Sequence, residues 1–120
     1  MSGIDRLYFG IGVTWLVVGM ALGIGMGAAH DFRFAAVHAH INLIGFACHT
    51  LFGIAHRLWP SLASSRLAVG QFWLFVVTTP ITLAGLALLV LGGPEIPVIL
   101  GSVGVFLGAA AFALMFWRMD

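Results

Sequence analysis

Residues 37–60 read VHAHINLIGFACHTLFGIAHRLWP, an apolar run of Val, Leu, Ile, Phe, Ala and Gly that carries His38, His40, His49 and His56. Hydrophobic residues make up 62% of the 120-residue chain and charged residues only 8%, too little polar surface to enclose a soluble core of this size. The run is therefore read as a membrane span. Three more runs match it in length, and each is long enough to cross about 30 Å of hydrocarbon at about 1.5 Å per helical residue. The sequence predicts an all-α membrane protein in one domain, 1–120, with four transmembrane helices at about 7–29, 34–59, 67–91 and 96–117. The first run exceeds the h-region of a signal peptide and is expected to be retained.

Between the runs lie GAAHDFR, PSLASSR and GGPEIP, short and rich in turn formers, so consecutive helices are expected to be antiparallel neighbours in a bundle. Arg6, Arg57, Arg66 and Arg118 fall on one side against Arg33 alone on the other, which predicts both termini in the cytoplasm. The expected location is an inner, cytoplasmic membrane of bacterial type, with lipid as the surrounding partner. A net charge of +1 gives no case for nucleic acid. Cys48 stands alone within the second run and is read as a packing residue.

Close helix approach in lipid depends on small residues. Gly19, Gly23 and Gly27 form one line on the first helix, and Gly104 and Gly108 another on the fourth. Either line suits packing within a protomer or between protomers. Pro80 falls at mid-depth in the third helix, where it frees a carbonyl that Thr78, Thr79 or Thr82 would shield.

At about 100° per residue, Asn42, Gly45, His49 and His56 all fall within roughly 40° of His38. His40, about 200° from His38, lies on a different face with Ala36, Ile44, Ala47, Leu51 and Ile54. Ionisable side chains inside a membrane need partners and are candidates for function. Zinc or copper needs several ligands converging within about 2 to 2.3 Å, which positions i and i+2 of one helix cannot provide. Haem iron takes one or two axial ligands, and its macrocycle fits between helices. Small neighbours such as Ala36, Ala39 and Gly45 would let it approach. His56, beside Arg57, Trp59 and Pro60, reads as an interfacial residue, and His30 as a loop histidine.

The sequence His40, Ile41, Asn42, Leu43, the ending Leu58, Trp59, Pro60 and the pair His38, Ala39, His40 together resemble the histidine-bearing helices of the catalytic subunit of haem-copper oxidases, the superfamily that includes nitric oxide reductases. In that family a His-x-Asn-Leu helix ligates the low-spin haem, and a His-x-His helix serves two haems from opposite faces. The resemblance covers residues 37–60 and implies a small b-type haem protein that transfers electrons or binds a diatomic gas (O2 or NO). It gives His38 and His40 as candidate iron ligands with Asn42 beside the cofactor; the histidine stripe itself adds His49 as a further candidate ligand, a carbonyl-bonded role being the alternative, and Gly45 as a small neighbour. Haem b is the expected cofactor, with two or more per protomer pair. No histidine outside the second helix and the loop before it supplies a second metal, so an oxidoreductase centre is not complete in one chain. The electron donor is not named by any residue pattern.

Bis-histidine ligation needs imidazoles on opposite faces of one porphyrin, and one helix cannot supply both. A homo-oligomer is therefore expected, most simply a dimer with haem near its interface. The alternative reading is a proton or metal channel or transporter without haem, lined by His38, Asn42, His49 and His56.

Overall fold

The computed structural model describes residues 3–119. Four helices are long and apolar enough to cross a membrane: α1 (Ile4–Ala29), α2 (Ala35–Leu58), α3 (Ala68–Val90) and α4 (Ile96–Trp117). At about 1.5 Å per residue they span about 33 to 39 Å. No strand occurs among the described residues. The helix ends follow local chemistry. His30 takes a left-handed conformation (φ 50°) while its N–H and that of Asp31 return to the carbonyls of Gly27 and Met26, closing the last turn of α1. Gly92, at φ 84°, does the same for α3, and the Gly93 N–H reaches the Leu88 carbonyl at 2.8 Å. Pro60 opens the short 3-10 turn Pro60–Ser64, and Pro97 sits in the first turn of α4, where no N–H is required.

The second helix is not α-helical throughout. Its middle, Ile41–Cys48, is a π-helix of eight residues flanked by α-helical Ala35–His40 and His49–Leu58. An α-helix turns 100° per residue, so a face repeating every fourth residue drifts steadily around it. Here the buried positions are Val37, Ile41, Gly45, His49 and Gly53, each four apart, and then His56. The wider π turns, with their i→i−5 bonding, hold that four-residue register on one side. This shifts the stripe expected from a uniform 100° step: Gly45, His49 and His56 are on the buried face, whereas His38 and Asn42 lie half-buried at its edge.

Glycines set the closest contacts. A Cβ at Gly12 would strike the Thr50 hydroxyl, one at Gly19 would come 2.6 Å from Asn42 Oδ1, and one at Gly23 would come 3.0 Å from the His38 ring. From the other side, Trp15 lies over Gly45 and the α1 backbone at Asp5 and Phe9 lies over Gly53. The α3–α4 pair is built alike, with Gly85 against Val98, Gly101 against Thr82, Gly104 against Thr78 and Gly108 against Phe75. Gly19, Gly23, Gly104 and Gly108 are thus occupied within the protomer, and Gly27 has open space around it. The helix α3 continues through Pro80. Thr78, Thr79 and Thr82 donate to the carbonyls of Leu74, Phe75 and Thr78, rather than to that of Val76, which the proline leaves without its i+4 donor.

The two pairs join through Ile4, Tyr8, Leu62, Ala68, Phe72, Phe75 and Met115 near the Asp5 end and through Val37, Ile41 and Leu83 near the His30 end. The outer surface is apolar, with Val17, Ile24, Leu43, Leu51, Trp73 and Phe106 all exposed, as lipid contact requires.

Candidate functional site

Each histidine of α2 has a different environment. His40 is exposed on the outer face, and its Nδ1 lies 2.7 Å from the Ala36 carbonyl one turn back. A carbonyl only accepts, so Nδ1 carries the proton and Nε2 keeps its lone pair on an exposed ring. Ala36, Ala39 and Leu43 are exposed beside it, so the surrounding surface is apolar and low. His38 turns the other way, toward Gly23 of α1. Its Nε2 is 3.3 Å from Asn42 Nδ2, which donates to it, and its Nδ1 is buried without a hydrogen-bond partner. The amide of Asn42 is thereby engaged, and Gly45 is covered by the Trp15 ring.

His49 is fully buried, and its Nδ1 lies 2.8 Å from the Ile44 carbonyl, five residues back. That spacing is the π-helical one; in a continuous α-helix this carbonyl would be engaged by the N–H of residue 48. The His49 Nε2 has no hydrogen-bond partner. Around the ring stand Tyr8, with centroids 5.9 Å apart, and Phe75, at 4.8 Å. His56 is 4% exposed, enclosed by the bundle and not reaching toward water as its flanking residues suggest. It stacks on Tyr8 at 5.9 Å and meets the edge of Phe112 at 5.9 Å, and neither of its nitrogens has a hydrogen-bond partner.

Tyr8 and Gln71 were not distinguished by sequence reasoning as site residues. The Tyr8 hydroxyl donates to Gln71 Oε1 at 2.6 Å, and Gln71 Nε2 donates to the Gly108 carbonyl at 3.0 Å, which ties α1, α3 and α4 together. One signal was available: Gln71 is the only amide within an otherwise apolar span, and such a group must find a partner inside the bundle. Replacing Gln71 with leucine strands the Tyr8 hydroxyl and is expected to cost about 1 kcal/mol, at the low end of buried hydrogen-bond losses because polar groups of the unfolded chain also find partners within the membrane. Unfolding in detergent by increasing SDS fraction, compared with wild type, measures it.

At the Asp5 end a groove of about 720 Å³ lies between α1 and α2, lined by apolar Phe9, Gly10, Gly53 and Ile54 together with the charged Asp5, Arg6 and Arg57. Arg57 Nη1 donates to Asp5 Oδ2 at 3.3 Å; the arginine side chain is 71% exposed and the carboxylate 7%. At the other end Arg33 pairs with Asp31 at 2.9 Å in the exposed loop, and the Arg33 backbone N–H, then its side chain, hold the Asp31 carboxyl below its ordinary value.

Among the described residues no three His, Cys, Asp or Glu side chains converge in a way that would hold a metal ion. A single-ligand iron centre needs only one imidazole with room for a macrocycle. His40 meets both conditions: a proton fixed on Nδ1, a lone pair on Nε2 and an open apolar face. His49 has a similarly oriented ring but is enclosed by aromatic side chains, and His38 is held against α1. No family model, curated protein or solved structure matches the chain.

Proposed function

We propose that the chain is a b-type haem protein of a bacterial-type cytoplasmic membrane, in which His40 is an axial ligand and the haem serves electron transfer or the binding of a diatomic gas. The observation that carries this reading is the His40 ring: exposed on an apolar membrane face, with Nδ1 engaged by the Ala36 carbonyl and Nε2 left as a donor of its lone pair. An imidazole placed in hydrocarbon without a partner is costly, so a ligand for that lone pair would offset the cost. Haem, when bound, supplies a one-electron couple and an iron that accepts axial ligands. The chain's own part is to fix the tautomer, present Nε2 and flank it with Ala36, Ala39 and Leu43.

One protomer offers one such ring, so six-coordination requires a second copy. A twofold dimer in which the α2 outer faces meet would bring His40 of one protomer opposite the partner's His40 across a porphyrin. The glycine lines do not supply this contact, since their members are engaged inside the protomer; the exposed face of α2 would. The opposite order of contacts along paired helices, Gly12 with Thr50 and Gly23 with His38, or Gly101 with Thr82 and Gly108 with Phe75, supports an antiparallel bundle. Arginine distribution supports cytoplasmic termini. The channel reading has less support, because its stripe faces α1 and is covered at Gly45 by Trp15.

The test is a reduced-minus-oxidised absorption spectrum of the full chain, expressed with ample haem, together with the haem-to-protein ratio. A Soret band with sharp reduced visible bands is expected, with about one haem per two chains in place of the two or more per pair expected from the sequence, because only His40 presents an open ring. A colourless protein overturns the proposal. Five- against six-coordination in the same spectra separates gas binding from electron transfer.

A further inference from the structure

The buried end of α2 holds an unbalanced set of hydrogen-bonding groups. His49 Nδ1 carries its proton to the Ile44 carbonyl, which leaves Nε2 of the neutral ring as a bare acceptor. The Tyr8 hydroxyl gives its only proton to Gln71, leaving its oxygen lone pairs as acceptors. His56 adds one donor and one acceptor, both without a hydrogen-bond partner at 4% exposure. Acceptors therefore outnumber donors around the Tyr8 ring, whose centroid lies 5.9 Å from each imidazole. Buried polar groups are rarely left in this condition, and the ligand that corrects an acceptor surplus in a small polar site is water, which brings two donors.

We infer that Tyr8, His49 and His56 enclose a buried water site that forms a one-ended proton relay, leading from the Asp5 groove through His56 to His49 and no further. The inner end is closed. Next to His49 the Thr50 hydroxyl, buried without a hydrogen-bond partner, and the Phe46 carbonyl lie against Gly12 of α1, and beyond them the Trp15 ring fills the space over Gly45. The outer end is close to Asp5, whose charge acts on the His56 ring and which lines the groove together with Arg6 and Arg57. The titratable and charged groups facing the two imidazoles are Asp5 and Tyr8 on α1 and Arg57 on α2; α3 contributes the neutral Gln71 and Phe75, and α4 the neutral Phe112.

The steps balance. A proton entering from the groove binds the lone pair on one His56 nitrogen, and the proton on the other nitrogen leaves to the water. That water passes one of its own protons to His49 Nε2, which becomes an imidazolium carrying both ring protons. Discharge follows the same route in reverse, since there is no exit past Trp15. The site thus stores a proton in the membrane interior without conducting it across. The inference does not depend on haem at His40, because none of its groups belongs to that face.

The test uses the full chain in lipid bilayers with 15N-histidine, read by water-edited solid-state NMR and by hydrogen–deuterium exchange of the imidazole protons. Water contact at His49 and His56 within milliseconds, and His56→Phe slowing exchange at His49 at least about tenfold, is expected. A dry His49 in wild type overturns the site whether or not the variant folds. If His56→Phe fails to fold, His56→Gln, which keeps a donor and an acceptor but cannot carry the proton onward, is expected to keep the water contact and slow the exchange; unchanged exchange overturns the relay. Proton flux across liposomes loaded with a pH dye is expected to stay at the protein-free level, and flux that depends on His49 overturns the closed end. None of these readouts registers haem, so a colourless protein leaves them intact.

Discussion

His40→Ala is expected to remove most of the haem from the protein, lowering Soret absorbance per chain at least about tenfold, while thermal stability in detergent stays within about 0.5 kcal/mol of wild type. The two expectations have one cause. The His40 ring is exposed and its only hydrogen bond is to a carbonyl of its own helix, so truncation opens no cavity and strands no buried group. The converse variant separates ligation from packing. His49→Ala removes a fully buried ring that touches Tyr8 and Phe75, and is expected to destabilise by about 2 to 5 kcal/mol, in the range of large-to-small changes in a core, while haem per folded chain is retained. Absorbance ratio and melting temperature, measured on the same samples, decide it. If His40→Ala keeps its haem and His49→Ala loses it, the ligand lies in the interior and the proposed dimer face is wrong.

The second large effect concerns the α1–α2 seam. A Cβ at Gly53 would stand 2.7 Å from the Phe9 nitrogen and 2.9 Å from the Asp5 carbonyl oxygen, and both are backbone atoms that cannot swing aside. Gly53→Val is therefore expected to cost about 3 kcal/mol or more, at or above the upper end of overpacking losses, because the whole of α1 must move. Gly10, one helix away, would carry a Cβ with nothing within 4 Å of it and is expected to respond with the opposite sign. There Gly10→Ala gains helix propensity, about 0.5 to 1 kcal/mol, at no steric cost. SDS-unfolding curves of the two variants beside wild type read both directions. Equal loss in the two would mean that the seam does not lie at Gly53.

Much of this architecture was legible because lipid imposes few solutions. Run length alone placed the four spans, and the boundaries 96–117 coincide with those of α4. The first helix starts three residues earlier than hydropathy suggests, at Ile4, since Asp5 and Arg6 lie at its end where charge is tolerated. The i to i+2 offset separated His40 from His38 correctly, because the π segment begins only after them. The fate of His56 was not legible. Arg57, Trp59 and Pro60 are interfacial residues, yet burial comes from Tyr8 and Phe112, 48 and 56 positions away in sequence (56 − 8 and 112 − 56). The π segment was hidden for a different reason. In a soluble protein, a four-residue repeat would contrast with polar neighbours, whereas the outward positions Leu43, Leu51 and Ile54 are as apolar as the inward ones. Only Gly45 and Gly53, spaced eight apart with His49 midway, carried the register.

That eight-residue widening has a consequence for descent. A π-helix accommodates more chain per turn than the α-helix on either side, so the segment Ile41–Cys48 acts as a reserve of length. Loss of one residue there is absorbed when a wide turn tightens to an α turn, leaving the two flanks facing much as before, whereas loss of one residue from the α-helical turns on either side would turn everything beyond it by about 100° and draw it in by about 1.5 Å. His40 would then leave its lipid face or Gly53 would leave its seat against α1. Lineages carrying this architecture should therefore accept single-residue gaps between positions 41 and 48 and almost none at 35–40 or 49–58, whereas the connections at 30–34 and 91–95 should vary more widely in length. An alignment of descendants would show the site first as an interval whose count slips by one between two flanks whose count stays fixed.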